Sequence, residues 1–359
     1  KGRYLGTGFL SETSRIRVRL ISRNANDRFD ESFWERRVRY AWEYRKTVMG
    51  EDADCCRIVF GEADAFPGLT VDRFHDLLVT QTLSLGMELR KEMIFPLIYK
   101  VLTEDGQTIR GIYERNDVAI RAHEGLSENK GWFPLKGVPI PESPCTAIVE
   151  NGVEYAVDVE NGQKTGFFLD QKYNRLAIQP LARGGRVLDC FTHTGAFALN
   201  AAKGGAAEVL GVDASELGVA QAAQNAALNG MSDRVRFACR DVFELLPELE
   251  RKGEKFDLVI LDPPAFTKSR ASVKKAVTGY REINLRGIKL VKNGGYLATC
   301  SCSHFMTPEL FTKTIGEAAR DARRRLRQVE YRTQSPDHPV LWGADQSLYL
   351  KFYIFQVVD

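Results

Sequence analysis

Val187-Leu188-Asp189-Cys190-Phe191-Thr192-His193-Thr194-Gly195-Ala196-Phe197 reads as a short apolar strand ending in an acid, a turn with one glycine, and the start of an alanine-rich helix over Ala198 to Ala202. Strand, turn and helix in that order open a nucleotide-binding α/β unit, in which backbone N–H groups and a helix N-terminus are aimed at a ligand. A dinucleotide pyrophosphate wants three glycines spaced G-x-G-x-x-G so that the backbone can approach it. Only Gly195 is present, which argues against a pyrophosphate.

Working outward, a second strand, Glu208 to Val212, ends in Asp213. That acid stands about 20 residues after the turn, where a carboxylate meets ribose hydroxyls. Ser215 caps a helix running to about Asn229, and a third strand, Val235 to Ala238, leads to Asp241. A fourth, Phe256 to Leu261, ends in Asp262-Pro263-Pro264-Ala265-Phe266. The fold class is therefore α/β with a Rossmann-like sheet. Parallel strands gather ligands at their carboxyl ends, so Asp189, Asp213, Asp241 and Asp262 line one crevice. Their order suits S-adenosylmethionine: Asp189 near the methionine ammonium, Asp213 on the ribose, Asp241 near the adenine amine, and Asp262 facing the methyl acceptor. Phe191, Thr192 and Gly195 of the turn join the cofactor set. Any one acid could simply form a turn at a strand end; four in this order favour the ligand reading.

At 359 residues the chain exceeds one hydrophobic core, so two or three domains are expected. With 44% hydrophobic and 27% charged residues, it is composed like an ordinary globular protein. No apolar run approaches the roughly 18 residues of a membrane span, and no charged-then-apolar leader opens the chain, so a cytoplasmic protein is expected. Seven cysteines, an odd number without paired ligand spacing, point to reduced thiols and to no metal site.

A formal net charge of +3 does not announce nucleic acid, but residues 1–46 carry twelve Lys or Arg against six acids. Such an excess is either a solvated face or a surface for phosphate contact. Arg15 to Ile21 alternates arginine with aliphatic residues, a half-buried strand whose basic face would present Arg15, Arg17 and Arg19 to RNA. Arg36, Arg37 and Arg39 follow on a helix from Phe33 to about Met49. From Arg57 to about Val159 strands are expected at Arg57 to Phe60, Leu69 to Phe74, Leu77 to Leu83, Gly111 to Tyr113 and Ala147 to Val149. A helix lies near Leu89 to Leu102, and a proline-rich loop runs from Trp132 to Pro144. His75 and His123 have no evident partners there, and Asn151-Gly152 suits a hairpin turn.

Asn161-Gly162-Gln163-Lys164-Thr165-Gly166-Phe167-Phe168-Leu169-Asp170-Gln171, the Asp189 turn, Asp262-Pro263-Pro264, Tyr280 with Asn284, Ser301-Cys302-Ser303 and Asp337-His338-Pro339 together resemble the bacterial large-subunit methyltransferase I family. These enzymes methylate carbon 5 of a cytosine in 23S ribosomal RNA. The resemblance covers nearly the whole chain, and its most specific part is the Lys-Thr-Gly-Phe-Phe-Leu-Asp-Gln run combined with Ser-Cys-Ser. It implies the end of a PUA-like RNA-binding barrel at 1–28, a linking helix at 29–55, an α+β domain at 56–159 and a methyltransferase domain at 160–359. It also implies a lid beside the cofactor, with Lys164, Thr165 and Phe168 nearest; Phe167 and Phe168 are equally readable as core. Ribosomal RNA is the implied partner, no membrane is involved, and a homodimer is left open.

Carbon 5 of cytosine is a poor nucleophile, so methylation there begins with a thiolate adding to carbon 6. Gly294-Gly295 turns the chain into the strand Tyr296 to Ser301, and Cys302 follows at its end, where RNA cytosine-5 methyltransferases keep their nucleophile. Cys300 points to the same side two residues earlier, and both could instead be buried strand cysteines. Asp262 is the candidate for bonding cytosine N3 and its exocyclic amine. Pro263 and Pro264 supply a rigid wall and Phe266 packs near a flipped base. One branch of these enzymes has a second cysteine after Asp-x-Pro; here Ala265 stands in its place, so the group that removes the carbon 5 proton is unassigned. Two other readings are an exocyclic-amine methyltransferase and a non-catalytic RNA-binding assembly factor. Cys302 separates the three, being needed only in the first.

Overall fold

A computed structural model describes residues 2–267, 269–344 and 347–359. Lys1, counted above among the amino-terminal cations, lies outside them. The chain packs into two compact units: residues up to Glu150 with Ala156–Asp170 and Pro336–Gly343, and Asn151–Tyr155 with Gln171–Ser335 and the residues from Ala344. Residues 160–170 and 336–343, within the stretch expected to be one methyltransferase domain, thus belong to the first unit.

The first unit opens with β1 (Thr7–Leu10) and β2 (Val18–Ser22), an antiparallel pair. The basic strand is shorter than its alternation suggested: only Arg19 lies in it, while Arg15 and Arg17 precede it and are exposed. Helix α1 (Glu31–Met49) is capped by the Asp30 carboxylate, which accepts from Phe33 N at 3.1 Å, and it buries Trp34 and Trp42. Then come β3 (Cys55–Phe60), β4 (Leu69–Phe74), β5 (Leu77–Thr82), α2 (Leu85–Glu88), α3 (Lys91–Glu104), β6 (Gly111–Arg115) and β7 (Lys130–Phe133). They make a sheet in the order β3-β4-β5-β6-β7, antiparallel except for β5 and β6, whose parallel pairing is bridged by the helices. Trp132 and Phe133, expected in a loop, are strand residues because both edge onto buried aromatics: Trp132 on Tyr113 and Phe133 on Phe95. His75 has a partner after all, its Nδ1 lying 2.7 Å from Asp54 Oδ2. Next, β8 (Cys145–Glu150) and β9 (Val153–Asp158) form a two-stranded sheet around the Asn151-Gly152 turn.

Buried charge ties the first unit together. Arg45, fully buried on α1, donates to both Asp64 oxygens at 2.5 and 2.7 Å and to the Asp337 carbonyl at 2.9 Å. Arg57 forks onto Asp72 at 2.6 and 2.8 Å, and its backbone N–H donates to Asp337 Oδ2 at 2.7 Å. His338 Nδ1 lies 2.9 Å from Asp337 Oδ1. Removing one partner from such a buried pair leaves an uncompensated charge, at a cost of about 3–5 kcal/mol.

The second unit contains α4 (Lys172–Ala182), β10 (Arg186–Cys190), α5 (Ala196–Lys203), β11 (Glu208–Asp213), α6 (Glu216–Leu228), β12 (Val235–Cys239), α7 (Val242–Arg251), β13 (Phe256–Leu261), α8 (Val273–Leu290), β14 (Val291–Ser301), α9 (Pro308–Asp321), β15 (Arg325–Arg332) and β16 (Lys351–Val358). Seven strands lie in the order β12-β11-β10-β13-β14-β16-β15. The first five are parallel, and β16 runs antiparallel to both its neighbours. Runs such as Leu258-Val259-Ile260-Leu261 are apolar without alternation because both faces of a wound parallel sheet are covered. Leu188, Cys190, Val259, Leu261 and Leu297 form one core with Leu245 of α7, Tyr280 and Ile283 of α8, and Phe311 of α9. The parallel strands end on one edge of the sheet, which places the four acids.

Candidate active site

Asp189 is fully buried at the end of β10. Its Oδ2 accepts from Thr192 Oγ1 at 2.5 Å and from Ala198 N at 2.9 Å, pinning the turn to the first turn of α5. Its Oδ1 is buried without a partner among the described residues. Burial, above all, pushes this carboxyl up to about 8, with Thr192 pulling the other way and the Asp262 charge adding to the rise. A buried acceptor left open at a strand end has the chemistry to receive a cation.

The turn is strained. Phe191, His193 and Gly195 have φ of 64°, 50° and 84°. For the two non-glycine residues this conformation costs on the order of 1–3 kcal/mol each, a cost that concentrates at ligand sites. At Gly195 a Cβ would also come within 2.9 Å of Phe237 Cζ. Asp213, at the end of β11, accepts from His193 N and Ser215 N, both at 2.9 Å, so it braces this turn and the start of α6. Each oxygen keeps a lone pair for a hydroxyl donor. Ser215 caps α6, accepting from Gly218 N at 3.1 Å. Asp241 lies two residues beyond β12 and caps α7, its Oδ1 accepting from Phe243 N at 2.7 Å. An orphaned buried carboxylate oxygen, a strained turn closed against Phe237 and two further acids on the same edge fit an amino-acid-bearing nucleoside.

At the end of β13, Asp262 Oδ1 accepts from Gln171 Nε2 at 3.0 Å. The same amide nitrogen lies 3.6 Å from Cys300 Sγ, and Gln171 Oε1 accepts from Asn174 Nδ2 at 2.6 Å. Cys300 is fully buried, and burial with the neighbouring Asp262 charge raises its thiol well above the ordinary range. Cys302 is half-buried, its Sγ 4.0 Å from the Pro263 carbonyl oxygen. The two cysteines therefore face the Asp262 turn, with only the second reaching solvent.

The residues on either side of Cys302 are fixed from α8 and β16. Ser301 Oγ donates to Tyr280 Oη at 3.0 Å, and that hydroxyl lies 3.1 Å from Ser303 Oγ. Lys351, opposite Ser301 in the β14–β16 register, is buried and donates to the carbonyls of Ser303 and Tyr349 at 2.6 and 2.8 Å. Burial lowers its ammonium to about 8, and the charge of Cys302 opposes that shift. Sequence reasoning missed Lys351, and the only available signal was a lysine heading the otherwise apolar Phe352-Tyr353-Ile354-Phe355 run.

Phe266 lies 4.6 Å from Tyr280, 5.8 Å from Phe243 and 6.4 Å from Phe191 between ring centroids, so its ring anchors the Asp262-Pro263-Pro264 loop in an aromatic cluster. Pro263 is buried and Pro264 exposed. Lys164, Thr165 and Phe168 belong to the first unit. There the buried Thr165 donates to Asp72 Oδ2 at 2.6 Å, and the Lys164 ammonium lies 4.4 Å from the Phe168 ring centre. The Thr165 hydroxyl proton is thus committed to Asp72. Among the amino-terminal arginines, Arg19 pairs with the buried Glu124 at 2.8 Å. Arg37 donates to the Ile21 and Ala65 carbonyls, Arg39 pairs with Glu35 and Glu104, and Arg36 lies 3.9 Å from Asp27. Those four are thus paired with acids or bonded to the backbone, whereas Arg15 and Arg17 are exposed and have no ion pair among the described residues.

Comparison with known proteins bears on this geometry. Residues 133–356 match the family described as S-adenosylmethionine-dependent methyltransferase. The chain is 41% identical over 354 residues to ribosomal RNA large subunit methyltransferase I of Aeromonas salmonicida, covering 98% of this chain and 87% of that protein. It is 38% identical over 360 residues to the protein of the same name from Klebsiella pneumoniae, covering 100% and 88%. Among solved structures, a SAM-dependent methyltransferase from Streptococcus mutans superposes with a TM-score of 0.81 at 23% identity, covering 98% of this chain and 88% of that one. A methyltransferase complexed with SAH gives 0.82 at 23%, with the same coverage, a likeness of fold.

Proposed function

The chain belongs to the S-adenosylmethionine-dependent methyltransferase family, and we propose that it methylates carbon 5 of a cytosine in 23S ribosomal RNA through a covalent bond between Cys302 and carbon 6. The observation that carries this reading is the thiol pair: Cys302 half-exposed at the end of β14 against the Asp262 turn, and Cys300 sealed beneath it. The ribosomal substrate is supported by the name shared by the full-length relatives and by the motifs that led to the resemblance. The reading of residues 1–28 as the end of a PUA fold rests on that resemblance.

In this reading Asp189, Phe191, Thr192, Gly195, Asp213 and Asp241 hold the cofactor, which supplies an electrophilic methyl group on a sulfonium. Cys302, as thiolate, adds to carbon 6, and the electron pair displaced toward carbon 5 takes the methyl group. Loss of the carbon 5 proton then restores the double bond as the thiolate leaves. Asp262 bonds N3 and the exocyclic amine, stabilising charge as the thiol adds, while the Gln171 amide holds its Oδ1 in place. Lys351 fixes the Ser303 carbonyl and sets a buried positive charge beside the thiolate.

RNA carrying 5-fluorocytosine at the target position tests the reading, because fluorine cannot leave as a proton does. The wild type should form a denaturation-resistant adduct that Cys302→Ser abolishes and Cys300→Ala retains. If methyl transfer survives in both variants, the chemistry is methylation of an exocyclic amine; cofactor binding with no methyl transfer to any RNA would leave an assembly factor.

A further inference from the structure

Directly after Asp262, residues 263–281 contain Lys268, Arg270, Lys274, Lys275 and Arg281 and no acid. Arg281 is spent on Asp321. Arg270, Lys274 and Lys275 are exposed and have no ion pair among the described residues, as is also true of Arg15 and Arg17 but not of Arg19, Arg36 and Arg39. Their helix also ties them to the reacting centre. α8 buries Ala276, Tyr280, Ile283 and Asn284, and Tyr280 bonds the serines on both sides of Cys302. Lys274 and Lys275 stand six and five residues before Tyr280, about 8–9 Å along the axis at 1.5 Å per residue. The loop leading to them is anchored: Phe266 packs on Tyr280, and a Cβ at Gly279 would lie 3.2 Å from the Phe266 ring. Thr267 Oγ1 donates to the Ser269 carbonyl at 2.7 Å and lies 2.7 Å from Ser272 Oγ, fixing the entry into the helix. The positive end of the α8 dipole points the same way as these cations.

We infer that Arg270, Lys274 and Lys275 form a track that grips the phosphodiester backbone beside the target nucleotide, so that the acceptor strand is held at the α8 entrance. The inference deepens the RNA-methylation reading and rests on it. Phosphate contacts carry little sequence information but fix register, which a base drawn out toward Cys302 requires.

Affinity for protein-free 23S ribosomal RNA, measured against salt concentration, tests this on the full chain. The triple variant Arg270→Gln, Lys274→Gln, Lys275→Gln should flatten the log–log salt slope by about 2–3, since each phosphate contact contributes about 0.7 to 0.9. From 50 to 200 mM salt its affinity should therefore fall about 20- to 40-fold less than that of the wild type. Cofactor affinity and melting temperature should be unchanged, because these side chains are exposed and make none of the bonds described. A charge-keeping triple, Arg270→Lys, Lys274→Arg, Lys275→Arg, should retain the wild-type slope. An unchanged slope in the glutamine triple, with the wild type binding and methylating RNA, overturns the track alone; a wild type that neither binds nor methylates ribosomal RNA overturns the reading beneath it.

Discussion

Binding of S-adenosylmethionine should expel a proton at neutral pH, and the proton should come from Asp189. Without cofactor, burial holds this carboxyl at about 8, so at pH 7 it is about nine-tenths protonated. A cofactor ammonium at the orphaned Oδ1 demands the carboxylate. An α-amino group itself titrates near 7.7–8.0. The charged pair is thus most available near pH 8: below it Asp189 must lose a proton, above it the amine must gain one. Combining the two titrations gives a net release of about 0.8 proton per cofactor bound at pH 7, and a fall in affinity of about 20-fold from pH 8 to pH 6. Calorimetry in buffers of differing ionisation enthalpy counts the protons directly. Asp189→Asn should bind more weakly throughout and lose the acid limb, its affinity no longer falling below pH 7. Zero proton exchange at pH 7, or an asparagine variant that keeps the acid limb, would refute the assignment of Asp189 to the cofactor ammonium.

Lys351 gives a complementary stability test. Its folded value near 8 lies below the ordinary 10.5, so between these limits the unfolded chain holds a proton that the native protein lacks, and stability should rise with pH through that window. The unfolding free energy of the wild type minus that of Lys351→Met, from urea titrations at pH 7.5 and 10, should increase by up to about 3 kcal/mol, whereas a constant difference would mean that the ammonium is not desolvated. Gly195→Ala should cost about 2–4 kcal/mol and abolish cofactor binding, since it adds a left-handed alanine and a contact of 2.9 Å to Phe237; a melting temperature within a degree of wild type would contradict this.

The parallel half of the second unit was legible because its strands are apolar runs closed by acids, and Asp189, Asp213, Asp241 and Asp262 do lie along one edge of the sheet. What escaped depended on distant partners. No local pattern shows that Arg39 meets Glu104, or that Arg19 meets Glu124, so charge that looked free for RNA proved to be bound. The alternation in Arg15 to Ile21 overstated a strand that begins at Val18. Lys351 stands at the head of an apolar strand, where nothing local shows that antiparallel pairing with Ser301 brings its ammonium to the Ser303 carbonyl. The Asp337-His338-Pro339 segment carries the family resemblance, but only the fold reveals that its aspartate answers Arg57, far earlier in the chain and in the same unit.

The place of β16 bears on how the protein comes into being during synthesis. The strand that carries Cys300 and leads to Cys302 lies between β13, made before it, and β16, made only after α9 and β15 have emerged. At ribosomal rates of about 5–20 residues per second, a nascent chain spends several seconds with β14 bare along one edge and Ser303 without its lysine anchor. The cofactor turn, by contrast, can close as soon as β10, β11 and α5 have emerged. The chain is therefore expected to acquire its capacity to hold a methyl donor before Cys302, the proposed nucleophile, is in position. Between those moments β14 is an open sheet edge that other growing chains could pair with, which makes the synthesis of residues 302–350 the interval of greatest exposure to misassembly.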